Sequence, residues 1–161
     1  MAAGNWIVYN SAKEFMLDGT IDLDAGDGFF SVVLCTSSYT PALTHSTYAN
    51  ISGAEVANGN GYTTGGDFPG TVTWAAAGGD ATQMIFDSAD PAWTASGGSI
   101  TARYAVLTHV AAGTGVPQST DKIIAYLLLD TTPADVTVTD GNTLTIQLAS
   151  GGYFNLDGAD S

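Results

Sequence analysis

Three aspartates within DLDAGDG, Asp22, Asp24 and Asp27, carry the closely spaced oxygen donors of a calcium loop. An EF-hand also needs a bidentate glutamate eleven positions after its first ligand, and that position is Val33, inside an apolar run. The segment therefore reads as a solvated acidic hairpin, with Asp27-Gly28 tolerating positive φ at the turn. Zinc would draw on histidine, but His45 and His109 stand far apart and in no HExxH or HxH arrangement. Cys35, His45 and a carboxylate are the right types for nucleophile, base and orienter. Nothing around them resembles a nucleophile elbow or a thiol-protease site. The expectation is packing, with Cys35 a buried small hydrophobe in FFSVVLC. No catalytic, cofactor-binding or metal-binding residue is assigned, and the chain reads as a non-enzyme.

The glycine-rich stretch NGNGYTTGG, residues 58–66, holds no lysine and opens no helix, so it cannot cradle phosphate as a P-loop does. It reads as a tight turn presenting Tyr62, or alternatively as a contact loop. Of the tryptophans, Trp74 sits in a strand pattern and is expected in the core, whereas Trp93 lies in DPAWTASGG, a loop able to expose it. Tyr39, Tyr48, Tyr62 and Trp93 are the candidate partner-contact residues. Arg103 and Lys122, scarce cations in an acidic chain, are expected to pair with acids.

The elements that must position these residues are nearly all strands. Residues 99–110, SITARYAVLTHV, alternate Ile100, Ala102, Tyr104, Val106 and Val110 against Thr101, Arg103, Ala105, Leu107 and His109, a strand period. Residues 122–129, KIIAYLLL, form a second, continuously apolar run across a loop that permits reversal. The two runs are expected as an antiparallel pair at the centre of a sheet. Further strands are predicted over 29–36, ended by Tyr39-Thr40-Pro41, and over 70–75 and 83–87. Residues 136–139 and 143–149 are predicted to form a hairpin through Asp140-Gly141-Asn142, and 153–156 a last edge. Asn10 or Ser11 is the predicted cap of a single helical turn over 10–17, after a short apolar start at 5–9. The irregular stretch 41–66 has room for a short helix near residues 45–50. Short strands with turn signals between them predict an all-β antiparallel sandwich, jelly-roll-like, with a short N-terminal helical segment. Residues 1–161 are read as a single domain: an arm over 1–20, a long contact loop over 37–69, and the main strands over 70–157.

Composition narrows the partners. Three cations, Lys13, Arg103 and Lys122, stand against 16 acids, for a formal net charge of −13 in 161 residues. Phosphate neutralisation needs a basic face, so direct nucleic-acid binding is not expected, nor is attraction to anionic lipid. No apolar run approaches the ~18–20 residues of a membrane span. The first residues lack a basic region followed by an apolar segment, so no export signal is expected. With only 12% charged residues and abundant Ala, Gly and Thr, much of the surface must be neutral, which suits packing against other subunits.

Several pieces in the middle of the chain, Ser37-Ser38-Tyr39-Thr40-Pro41, His45, Tyr48, Glu55-Val56, 59–66 and Ala102-Arg103-Tyr104-Ala105, resemble small virion-associated proteins of tailed bacteriophages and prophages. The resemblance implies a structural component of the particle, a capsid decoration (cement) protein on the outer face of the major capsid lattice. It implies the major capsid protein as partner, a homo-oligomer (dimer or trimer), location on the capsid surface after synthesis in the host cytoplasm, and no catalytic residues to carry over. The alternatives are a tail- or baseplate-associated phage protein, or a carbohydrate-binding β-sandwich using Trp93 and Tyr62 as a platform.

Overall fold

A computed structural model describes residues 3–77, 80–113 and 115–157, without the side chains of 77, 80 and 81. The chain is mostly β. Its widest sheet has the order β1-β8-β7-β2, built from β1 (Ile7–Val8), β8 (Lys122–Leu128), β7 (Tyr104–His109) and β2 (Phe30–Cys35), all antiparallel. The expected antiparallel pair β7·β8 indeed lies at its centre. Every residue of β2 is buried, as are Ala105 to His109 of β7, so both faces of this sheet are covered. That explains why β8 reads as a continuous apolar run rather than an alternating one. Inside it, Ser31 and Thr108 face each other and share a 2.6 Å hydroxyl hydrogen bond, leaving neither buried oxygen unpaired.

The 99–110 stretch is not one strand. Its first part, β6 (Ile100–Ala102), pairs with β9 (Val136–Val138), and the chain passes into β7 at Arg103. There the Arg103 N–H donates to the Cys35 carbonyl and the Arg103 carbonyl accepts from Leu129 N–H, so the ladder is kept through the corner. The predicted hairpin at residues 136–149 is also corrected. A turn does form, with Gly141 at φ 80°, but β9 goes to β6 while β10 (Thr143–Thr145) goes to β5 (Ala92–Thr94). The turn's own groups are taken by residues 95–97: Gly141 N–H donates to the Ala95 carbonyl, and Gly97 N–H to Asp140 Oδ1 at 2.7 Å. The remaining sheet, in the order β11-β4-β3, joins β3 (Thr73–Ala77), β4 (Asp80–Asp87) and β11 (Phe154–Asp157), with β11 the expected edge. The pairs β7·β8, β6·β9, β5·β10 and β4·β11 are thus nested one inside the next.

Near the N-terminus, α1 spans Asn10–Leu17, two turns rather than one. The expected side-chain cap is absent: Tyr9 occupies the cap position, Ser11 Oγ instead donates to the His45 carbonyl at 2.6 Å, and Asn10 Oδ1 accepts from Lys13. Ala12 and Tyr9 are fully buried, and Lys122 lies 4.7 Å over the Phe15 ring, fastening the helix to β8. The expected acidic hairpin over residues 21–28 is a run of turns without paired strands, because its carboxylates bond backbone instead. Asp22 Oδ1 accepts from Asp24 N–H, and Asp27 Oδ1 from Val72 N–H at 2.7 Å.

Candidate functional site

Residues 37–69 hold the most concentrated polar chemistry of the chain. After β2 the backbone folds through two short 3-10 turns, Tyr48–Asn50 and Ser52–Ala54, then returns along the outer edge of β2. Thr47 and Asn50 form a reciprocal capping box at the first turn, near the helix expected at residues 45–50. On the return, Val56 N–H donates to the Leu34 carbonyl and Thr36 N–H to the Ala54 carbonyl. Asp67 and Val32 exchange both of their backbone bonds. The edge of β2 is therefore capped by this segment. Gly66, at φ 80°, lies so close to the Val32 carbonyl that a Cβ would collide with it.

Glu55 organises the segment. Its carboxylate accepts hydrogen bonds from the Tyr48 hydroxyl, from the Tyr62 hydroxyl at 2.7 Å and from Gly65 N–H at 2.7 Å. The Tyr62 oxygen in turn accepts from Leu34 N–H at 3.2 Å, which carries the network into β2. Burial first, then the neighbouring carboxylate, pushes the Tyr62 phenol well above the ordinary tyrosine range, and the same two causes raise Tyr48. Burial chiefly, with a contribution from Glu55, also raises the Cys35 thiol, so Cys35 stays protonated and is no nucleophile. A second chain of groups joins Tyr9 to Tyr39 at 2.5 Å and Tyr39 to His45 Nδ1 at 3.1 Å. Burial pushes the Tyr39 phenol up to about 12. These hydrogen bonds fix the hydroxyls in place, and burial keeps the phenols of Tyr9, Tyr39, Tyr48 and Tyr62 protonated at neutral pH.

The four aromatic residues singled out in the sequence all point inward. Tyr39, Tyr48, Tyr62 and Trp93 retain 3%, 6%, 2% and 4% of their surface, so each contacts this chain itself. Trp93 lies in β5 rather than in an open loop, and with Tyr62 it offers no face on which a sugar ring could stack. Trp74, expected in the core, is half-buried against Phe154. The structure brings Cys35 beside Glu55, an isolated backbone bridge joining the two residues, while His45 belongs to the tyrosine chain. Asp22, Asp24 and Asp27 are spent on backbone N–H groups or left in turns, and among the described residues no three His, Cys, Asp or Glu side chains converge as a metal site would require. Arg103 pairs with Asp135 at 2.7 Å as expected, while Lys122 lies over the Phe15 ring and its charge also favours the ionised Asp18 carboxylate.

Glu55 is the residue that sequence reasoning missed. The available signal was a lone glutamate in a glycine-rich, uncharged stretch with tyrosines seven positions to either side. Comparison with known proteins adds no relative: no family model, no curated protein and no solved structure matches the chain.

Proposed function

We propose that this chain is a non-enzymatic virion protein that decorates the outer face of a tailed-phage capsid and stiffens the lattice beneath it. The observation that carries this reading is the fate of the 37–69 segment. Its tyrosines, glutamate and histidine are consumed in fixing a long irregular segment rigidly along the β2 edge, as a strut requires and a mobile catalytic loop does not. Resemblance of the 36–66 stretch to small virion proteins points the same way, and so does the sparse charge. A subunit that is almost free of cations is repelled by the packaged genome, which favours the outer face.

The finer topology belongs to the same proposal. Four nested antiparallel pairs, β7·β8 innermost and β4·β11 outermost, support a jelly-roll-like winding in which one long hairpin is folded over itself. In this variant β2, rather than a strand of the nested set, takes the place beside β7.

The test is to mix the purified protein with capsid shells that lack it, sediment them, and measure the temperature at which the shells release DNA. Saturable co-sedimentation with a higher release temperature is expected. Protein that stays in the supernatant and leaves the release temperature unchanged removes the proposal, and binding confined to tails moves the protein to the tail or baseplate.

A further inference from the structure

A groove of about 730 Å³ lies between β10, β11, the end of β8 and the N-terminal arm. Its apolar lining joins Leu127, Leu129 and Val136 to the aromatic Trp6, Tyr153 and Phe154, and no residue lining it is charged, in a chain of net charge −13. Two of its walls are open sheet edges, since β10 and β11 each end their sheets.

The register of β10 fixes what its open edge presents. Ala95 N–H donates to the Asn142 carbonyl and Ile146 N–H to the Pro91 carbonyl, so Asn142, Leu144 and Ile146 spend their backbone groups on β5. By the alternation of an antiparallel ladder, the N–H and C=O of Thr143, Thr145 and Gln147 point the other way, and Thr145 and Gln147 line the groove. Among the described residues these backbone donors and acceptors have no partner, and a row of such groups beside an apolar lining is the geometry that takes an added strand.

We propose that this groove binds an extended, uncharged, aliphatic-rich segment of a partner polypeptide by strand addition to β10. Charge selects the occupant: an acidic or basic segment would lose its hydration to a lining that has no counter-charge to offer. Another protein is taken as its source because, among the described residues, the long aliphatic runs are already committed to β2, β7 and β8. The proposal rests on the capsid reading, under which the lattice protein supplies the segment.

Two variants of the full chain test it on capsid shells lacking this protein. Thr145→Pro removes an outward N–H while sparing every β10–β5 bond, and Gln147→Lys sets a charge in the groove. Each is expected to weaken shell binding at least about tenfold, the worth of one lost hydrogen bond or more, with unchanged thermal unfolding. Amide exchange at Thr145 and Gln147 should slow in the bound state, with no change at Leu144, whose N–H is already paired. Should Thr145→Pro fail to fold, Gln147→Lys and the exchange pattern decide alone. Variants that bind like wild type, without protection at Thr145, overturn the groove and leave the capsid reading standing. Wild-type protein that ignores the shells overturns both. A free oligomer that falls apart on Thr145→Pro overturns the choice of partner and makes the occupant a second copy.

Discussion

Strand β2 meets a different kind of neighbour on each side. Against β7 it makes a registered ladder of six residues, buried above and below, in which side-chain packing does the holding. Against residues 54–67 it has only scattered backbone bonds, and the neighbour is kept in place by a carboxylate with three donors and by glycines that fit under the backbone. Apolar packing is spread over many atoms, so it degrades by increments when one group is lost. A hub such as Glu55 concentrates its hold in one side chain, and its loss frees a whole segment. The two sides of one strand should therefore fail differently.

The largest effect is expected on the packed side. Ile124→Ala in β8 empties a fully buried position and should lower global stability by about 3–4 kcal/mol, seen as a reduced urea midpoint at unchanged slope. A change in slope would mean that the sheet does not unfold with the rest. Glu55→Gln tests the hub: the amide offers one acceptor oxygen where the carboxylate had two, and sets an NH₂ against hydroxyl or N–H donors. A loss of about 2 kcal/mol is expected, together with proteolytic cleavage inside residues 48–66 before global unfolding. Equal resistance of the variant and wild type would deny Glu55 that role.

Acid acts on the packed side through His109, which is buried at the end of β7 beside the Phe30 ring. Burial holds its imidazole below the ordinary 6.5, outweighing the opposite pull of Asp121 and Asp22. The unfolded chain takes up that proton first as pH falls. Stability is accordingly complete above pH 6.5 and declines from there down to the depressed folded value, no more steeply than about 1.4 kcal/mol per pH unit. Unfolding midpoints of wild type and His109→Gln measured across that range should converge on acidification; parallel curves would remove His109 as the cause. The smallest effect belongs to Arg103→Ala at the β6–β7 corner. Its partly exposed pair with Asp135 is worth under about 1 kcal/mol, since the backbone bonds at Arg103 hold the corner without it. A larger loss would show that the ion pair, and not the ladder, turns the strand.

What the sequence determined by itself is the β character and the central pair. Short-range alternation at 99–110 and the continuous apolar run of β8 report directly on burial, because side chains in a strand alternate and those in a doubly covered sheet need not. The helix over residues 10–17 was legible for the same local reason. Where strands go after a turn was not legible: Asp140-Gly141-Asn142 carries every local mark of a hairpin, yet residues 95–97 outbid the flanking strands for the turn's hydrogen bonds. The interior fate of Tyr39, Tyr48, Tyr62 and Trp93 was likewise decided only in three dimensions. A tyrosine in a polar, glycine-rich stretch looks exposed until a carboxylate is found to receive its hydroxyl, and here that carboxylate is Glu55, seven residues from two of them. Local propensity reads periods along the chain, whereas hydrogen-bond partners and open edges such as that of β10 exist only once distant segments have met.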